Sequence, residues 1–521
     1  MTRSSRRVIG VASVLWGAGI LMNRAIGLIR ESVIGRTLGN GRETDLYQTA
    51  FELPDFLNYL LAGGVLSIVF IPIFQGHLAR DDEDAGWRAF SAIANPLVLL
   101  MTLGVVAMWF ATPTLTRLLF DFAPEDFPTL DRLVRIVLPA QIFHIVGGLV
   151  SATLMARDRH ALPAFAPLVY SAGIVGGGVL LGPTLGAEGF AWGALIGSVL
   201  GPFGLPLIGA LRHGLRWTPI LDLRHPDFRR YLWLSLPVML GVSIVAFDPL
   251  IQKYFASGMS EGTIARLTFA RTLMKAPMGI FGLAAGVAAY PTLARLIARG
   301  ERGEAWRTLV AALRMMLVLA VTASAALTVA GTEVATVIWG WGSDRYTPDQ
   351  LAEIGRYTAL FCLALWAWSG QLIIARGFYA QGNTWTPTLI GSLALIVGLP
   401  VYALLADRLG GDGLVIASSI VISAYAATLI GLLRRSLRDP ADPGPGLLWA
   451  MLRLAAAAAC GVAAGWALDP LLPAEWLALL RGACTGGVAA LVCLAVAWLL
   501  RLPEVDRLVA LFARRLRRRR R

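Results

Sequence analysis

The sequence predicts an all-α polytopic membrane protein of about fourteen transmembrane helices. Its 521 residues are 56% hydrophobic and only 15% charged, whereas soluble domains have roughly 45–50% apolar and about 25% charged residues. The mean hydropathy is +0.65. Apolar runs of the roughly 20 residues that a helix needs to cross a bilayer recur along the chain.

The apolar runs give the predicted spans in chain order. The first follows Arg3, Arg6 and Arg7 and has no small-residue cleavage site, so we expect a retained span and not a cleaved signal peptide. The spans are predicted at about residues 9–38, 44–75, 87–115, 130–156, 162–183, 187–211, 229–256, 261–294, 307–332, 353–376, 385–406, 411–433, 447–468 and 475–500.

Arginine is distributed unevenly among the connecting segments. It clusters at the N-terminus, within 212–230, within 295–307 and within 434–438, while the intervening loops carry only scattered arginines. Because cytoplasmic loops collect Arg and Lys, we expect both termini in the cytoplasm and an even number of spans.

The basic character of the chain has a membrane explanation. The formal charge of +13 comes from the ends of apolar runs and not from one folded patch, so we expect no nucleic-acid partner. The tail Arg514 to Arg521 follows the last span. Such a segment attracts anionic membrane lipids by about 1 kcal/mol per basic residue, and these lipids are its expected partner.

The chain resembles itself at an offset of about 220 residues, and two parallel lobes with polar residues between them are a common plan for alternating-access transporters. Ala156, Arg157 and Pro167 align with Ala375, Arg376 and Pro387. The repeat predicts an N-lobe of six spans at 1–215, a C-lobe of six spans at 216–436, two further spans within 437–502 and a cytoplasmic basic tail at 503–521.

Charged residues interrupt the apolar stretch 23–75, and each costs at least about 2.5–3.5 kcal/mol at membrane depth. We therefore expect these side chains to face a protein or water-filled interior, with pairing of Arg30 to Glu31 or Asp45 as the alternative for Arg30. The charges of this stretch include Arg24, Arg30, Glu31, Asp45, Glu52 and Asp55.

A second charged region lies near residues 248–279. Arg271 and Lys275 are four residues apart and share one helix face, so we expect them in an interior cavity, whereas Lys253 and Arg266 are expected to reach the membrane interface. Arginine stays charged when partly desolvated and grips phosphate oxygens bidentately. The expected ligand is a phosphate or pyrophosphate.

The sequence contains no motif that indicates catalysis, so we predict that the protein is not an enzyme. It contains no P-loop, its five histidines form no metal pair, and its four cysteines lack ligand spacing. We expect no metal and no cofactor. A coupling cation remains open, with Asp45, Glu52, Asp55 and Asp248 as candidate acceptors.

Several segments, in order, resemble the MurJ/MviN family of lipid II flippases within the multidrug/oligosaccharidyl-lipid/polysaccharide (MOP) exporter superfamily, up to about residue 435. They are NRAIGLIRE, TDLYQTAFELPDFL, GVLSIVFIPIF, PMGIFGLAAGVAAYP and ARGFYAQGNTWTP. The resemblance implies transport of lipid II, a polyprenyl-pyrophosphate-linked peptidoglycan precursor, from the inner to the outer leaflet of the bacterial cytoplasmic membrane. It further implies cell-wall synthesis proteins as candidate partners and Arg24, Arg30 and Asp45 as matched site residues.

The sequence also departs from that family pattern. Asn58 and Tyr59 stand where the family has basic residues, Gly63 replaces a glutamate, Glu52 replaces an often basic residue, and Arg271 is shifted by one position. Two alternatives therefore stay open: a MOP-type exporter of another lipid-linked oligosaccharide, and a non-transporting membrane scaffold. The predicted substrate-binding residues are Arg24, Arg30, Asp45, Glu52, Asn58, Arg271 and Lys275.

Overall fold

The computed structural model describes residues 22, 25–62, 69–240, 244–437, 446–473, 476–508 and 510. These residues are almost entirely helical and contain no strand, which confirms the all-α class. Eight of the described helices are long and apolar enough to cross a membrane, or nine if a helix pair bent by 43° is one span. The count of fourteen spans stays a prediction, because several predicted spans include positions outside the described ranges.

Residues Met1–Ala265 form one compact unit. A short π-helical segment, Val199–Gly204, joins its ninth and tenth helices. The helices are α1 (25–38), α2 (Arg42–Thr49), α3 (Glu52–Ala62), α4 (Ile71–Leu78), α5 (Glu83–Leu119), α6 (Phe127–Val137), α7 (Ala140–Ala156), α8 (Ala161–Leu185), α9 (Ala187–Ser198), α10 (Leu205–Arg212), α11 (Pro226–Leu240) and α12 (Ile244–Ser257).

Residues Arg266–Arg521 form the second compact unit. Its first helix begins just before the boundary between the units, and residues 503–508 add a short helix after the last span. The helices are α13 (Thr263–Ala298), α14 (Arg302–Ala335), α15 (Pro348–Cys362), α16 (Leu365–Ala380), α17 (Trp385–Leu437), α18 (Leu447–Leu468) and α19 (Ala478–Leu499). The boundaries of the two predicted six-span lobes remain a prediction.

The apolar run at 44–75 differs locally from a single continuous helix. It contains α2, α3 and the start of α4, with a break after Thr49. Pro54 lies in the first turn of α3 and Pro72 in that of α4. Proline fits a first helical turn, where its missing N–H is not needed. The break allows charged residues of α2 and α3 to reach different neighbouring helices.

The sequence repeat has a structural counterpart in a tight glycine turn that occurs once in each unit. Gly186, between α8 and α9, has φ 56° and ψ −130°, and Gly410, inside α17, has φ 57° and ψ −133°. A positive φ of this kind is accessible to glycine at little cost. Gly410 therefore divides α17 into two helical segments, as the separate spans predicted at 385–406 and 411–433 require.

Helices α8 and α9 approach each other closely through glycines. A Cβ atom at Gly177 would lie 2.5 Å from the Cα atom of Gly193, and one at Gly173 would lie 2.5 Å from the Cα atom of Gly197. Small residues at such crossings let backbones approach and gain van der Waals contact, which drives helix association inside a bilayer. These glycines, which we call the glycine seam, let α8 and α9 pack closely together in the first unit.

The glycine seam predicts opposite effects for two adjacent glycines of α8. Gly177→Ala forces α8 and α9 apart and should destabilise the protein by about 1–3 kcal/mol. Gly176→Ala meets no atom within 4 Å and gains up to about 1 kcal/mol of helix propensity. Thermal unfolding of both purified variants in detergent tests this. Equal melting temperatures for the two variants would contradict the close packing.

Candidate functional site

The first charged pair lies on α1. Arg30 donates to Oε1 of Glu31 from Nη2 at 2.8 Å and from Nε at 3.2 Å. Both side chains are largely buried, with 27% and 8% of their surface exposed. The pairing of Arg30 with Glu31, one of the alternatives left open by the sequence, is therefore present in the structure.

Gln48 on α2 connects this pair to a second one. Its side-chain amide donates to Oε2 of Glu31 at 3.1 Å. Its backbone carbonyl accepts a hydrogen bond from Nζ of Lys253 at 2.6 Å, and the same Nζ donates to Oε1 of Glu52 at 2.5 Å. We call Arg30, Glu31, Gln48, Lys253 and Glu52 the polar network; it joins α1, α2, α3 and α12.

The polar network is balanced in charge, with two cations and two carboxylates. The side chains of Lys253 and Glu52 are only 12% and 13% exposed, so the expectation that Lys253 reaches the interface is wrong. Its ammonium lies against a carboxylate, and the pairing offsets part of the cost of removing both charges from water. Any anion that enters near Arg30 must compete with Glu31.

Aromatic side chains border the Arg30 end of the network. Tyr47 and Tyr170 are close enough to Arg30 to interact with it electrostatically. Tyr47 packs edge-to-face on Phe190 with ring centroids 5.7 Å apart, and Tyr170 packs on the ring of His144 at 5.2 Å. These ring contacts fix the positions of Tyr47 and Tyr170 in the first unit.

Asp45 has the contacts of a helix cap. Its carboxylate accepts hydrogen bonds from the backbone N–H groups of Gly262 at 2.7 Å and of Ala265 at 2.8 Å, at the start of α13. The side chain is almost fully buried. A carboxylate at a helix N-terminus satisfies donors that have no intrahelical partner and meets the positive end of the helix dipole. A role in substrate binding stays a prediction for Asp45.

Asn58 lies apart from the polar network. Its side-chain amide donates to Oε1 of Gln141 on α7 at 2.6 Å, which links α3 to α7. Gln141 is almost completely buried. Arg24, the remaining predicted residue of the first unit, lies outside the described residues.

Arg271 and Lys275 lie one turn apart on α13 in the second unit. Arg271 is only 5% exposed, and its guanidinium carbon lies 4.9 Å from the ring centre of Phe361 and 5.6 Å from that of Trp368. Faces of aromatic rings attract cations at this range. Lys275 is partly exposed. Their assignment to a substrate cavity stays a prediction.

Arg266, on the first turn of α13, differs from its prediction. It was expected at the membrane interface, but its side chain is 6% exposed and its Nε lies 3.0 Å from Oε2 of Glu353 on α15. The physical reason is the same as for Lys253, because a carboxylate on a neighbouring helix offers a stronger partner than interfacial water. Sequence reasoning could not identify that carboxylate.

The sequence reasoning also missed two neutral residues, Gln48 and Gln141. A search for charges passes over them, yet Gln48 follows Asp45 by three residues on α2, the spacing of one helix face, and precedes Glu52 by four residues. That spacing is the signal that could have identified Gln48. Among the described residues, no cluster of three or more His, Cys, Asp or Glu side chains could hold a metal ion.

Comparison with known proteins gives a consistent result. The family model described as lipid II flippase MurJ matches residues 34–479. This segment contains every predicted substrate-binding residue that the structure describes, except Arg30. A curated relative, the lipid II flippase MurJ of Burkholderia cenocepacia, is 28% identical over 449 residues, covering 84% of this chain and 86% of the relative.

Solved structures share the fold. One described as lipid II flippase MurJ in an inward closed conformation has a TM-score of 0.77 at 18% identity, covering 94% of this chain and 100% of that chain. An inward-facing multidrug resistance MATE transporter of the MOP superfamily has a TM-score of 0.63 at 15% identity, covering 80% and 94%. This likeness agrees with the predicted exporter fold.

The contact between Lys253 and Glu52 predicts coupled effects of mutation. Lys253→Met leaves a buried carboxylate without its cation and should destabilise the protein by about 3–5 kcal/mol. Glu52→Gln should also destabilise the protein, but by less. The double variant should lose less stability than the two single losses added together. Melting temperatures in detergent measure this.

A surface ion pair supplies the control for that cycle. Arg216 and Asp84 form a pair whose side chains are more than half exposed, and Arg216→Met should change stability by about 0–1 kcal/mol. Strictly additive effects of Lys253→Met and Glu52→Gln would show that these two side chains do not interact in the folded protein.

Proposed function

Because one family model matches residues 34–479, the chain belongs to the lipid II flippase MurJ family, and we propose that it moves lipid II across the membrane. The substrate is a polyprenyl-pyrophosphate-linked peptidoglycan precursor, carried from the inner to the outer leaflet of the bacterial cytoplasmic membrane. The family match is the observation that carries the proposal. The relatives are named as flippases, which supports transport as the activity.

The polar network fits an anionic head group. A guanidinium has five N–H donors in a planar fork, and the two contacts to Glu31 involve Nε and Nη2 of Arg30. Pyrophosphate offers more oxygen acceptors and more negative charge than one carboxylate. We propose that the entering pyrophosphate replaces Glu31 as the partner of Arg30. Gln48 continues to donate its hydrogen bond to Glu31 and so offsets part of the cost of the lost ion pair.

The transport cycle is proposed to be alternating access. Two of the solved structures with this fold carry descriptions of an inward closed and an inward-facing conformation, which supports a protein that changes the exposure of its binding site. The polyprenyl tail is proposed to stay in the bilayer while the head group crosses. Arg24, Asn58, Arg271 and Lys275 remain proposed contributors to the head-group site.

The energy source is proposed to be the membrane potential or a cation gradient, with no resident cofactor. One elementary charge moved across 100 mV is worth about 2.3 kcal/mol. Asp45, Glu52, Asp55 and Asp248 are the proposed acceptors of a coupling cation.

Topology and partners complete the proposal. The arginine distribution supports cytoplasmic termini, and the basic tail Arg514 to Arg521, which lies outside the described residues, is proposed to contact anionic lipid. Cell-wall synthesis proteins that consume lipid II are proposed as functional partners. The protein would then contribute to cell shape through the supply of peptidoglycan precursor.

Complementation tests this function. In cells depleted of their own lipid II flippase, the full-length protein should restore growth and peptidoglycan synthesis. Arg30→Ala should reduce lipid II export about ten- to hundredfold, because a charge-assisted hydrogen bond contributes about 1.5–3 kcal/mol. Arg30→Lys should restore part of the loss, since lysine supplies the charge without the bidentate fork.

The matched control is Arg132→Ala, which removes an exposed arginine paired with Glu188 and should leave export unchanged. Immunoblots of the membrane fraction establish that each variant inserts. Normal insertion of the unaltered protein without rescue would refute the lipid II assignment. Rescue instead of a strain that lacks an exporter of another polyprenyl-linked oligosaccharide would favour that alternative.

A further inference from the structure

Arg376 on α16 is one of four arginines among the described residues that bury a guanidinium nitrogen without a hydrogen-bond partner, in its case Nη1. No described residue forms an ion pair with Arg376. The other three of these arginines each have a carboxylate partner. These pairs are Arg157 with Glu83, Arg266 with Glu353 and Arg314 with Glu504.

Two tyrosines lie near Arg376, and their exposed fractions are 38% for Tyr290 and 41% for Tyr379. The phenol groups of Tyr290 and Tyr379 are close enough to interact with it electrostatically. Arg376 lies in the last turns of α16, where the negative end of the helix dipole favours a cation but supplies only a partial charge. A buried donor without an acceptor costs about 1–3 kcal/mol, and more when it is charged. An anion would supply the acceptor that this buried nitrogen lacks among the described residues.

In the first unit, the residue that aligns with Arg376 has acceptors from within the protein. Arg157, which aligns with Arg376 in the sequence, donates from Nη1 to the backbone carbonyl of His213 at 2.7 Å and forms an ion pair through Nη2 with Glu83. Its guanidinium carbon also lies 5.0 Å from the ring centre of Trp87. One copy of the repeat thus has an internal anion, and the other copy lacks one among the described residues.

The position of Arg376 along the helices fits a lipid head group. Tyr290 precedes the end of α13 at Ala298 by eight residues, or about 12 Å at 1.5 Å per residue. The segment that follows is rich in arginine, with Arg295, Arg299 and Arg302. By the proposed topology this end faces the cytoplasm, so Arg376 lies within a few turns of the inner head-group region.

We propose that Arg376 binds the phosphate group of a lipid, with the hydroxyls of Tyr290 and Tyr379 as additional partners. A guanidinium matches phosphate geometry through two parallel N–H donors, and tyrosine hydroxyls donate to the remaining oxygens. The phosphate can belong to a bulk phospholipid or to a polyprenyl pyrophosphate. The inference does not depend on which lipid is transported.

Native mass spectrometry of the full-length protein in detergent tests the proposal. The probes are phosphatidylglycerol, undecaprenyl pyrophosphate and, as a zwitterionic comparison, phosphatidylcholine. Arg376→Gln should weaken binding of at least one anionic probe about tenfold or more, equivalent to at least about 1.4 kcal/mol. Arg376→Lys should recover part of the affinity. Arg434→Gln, at an exposed arginine near the end of α17, is the matched control and should bind as the unaltered protein does.

The outcomes separate the two lipid sources. Weaker binding of both anionic probes identifies a general phospholipid site, and weaker binding of undecaprenyl pyrophosphate alone identifies a site for the transported class of lipid. Thermal unfolding of each variant verifies that it is folded. Unchanged binding of both anionic probes by folded Arg376→Gln, or an equal loss for Arg434→Gln, would overturn the proposal.

Discussion

The structure depends on compensation of charge inside a membrane domain. Each unpaired charge at membrane depth costs several kcal/mol, yet the first unit buries two cations and two carboxylates within one set of contacts. Gln48 is central, because its side chain serves Glu31 and its backbone carbonyl serves Lys253. Under the proposed function, this arrangement keeps cations available for an anionic substrate and compensates them when no substrate is bound.

Other charges satisfy the same constraint by different means. Asp45 meets the backbone donors at the start of α13, and Arg271 lies against the faces of Phe361 and Trp368. An aromatic face releases a cation at a smaller cost than a buried carboxylate does, since the cation–π contact is worth roughly 0.5–2 kcal/mol. Contact with aromatic faces is therefore one of the means by which this protein holds a buried cation.

The helical class and the family resemblance were readable from the sequence, because the length of apolar runs and the order of short segments are local signals. The partners of the buried charges could not be read from the sequence. Lys253 and Glu52 are far apart in sequence, and only the packing of α12 against α3 brings them together. The same holds for Asn58 and Gln141. A local reading consequently assigned Lys253 and Arg266 to the interface, where each would have been hydrated, when both lie buried against carboxylates.

The most direct test of this account is leaflet movement of lipid II in liposomes that contain only the purified protein. Lipid II with a fluorescent head group is added to the outer leaflet, and a membrane-impermeant quencher reports how much stays accessible over time. The account predicts protein-dependent movement of lipid II that is faster than movement of a polyprenyl-linked oligosaccharide lacking the peptide. No movement of lipid II by folded protein, with and without an imposed membrane potential, would contradict it.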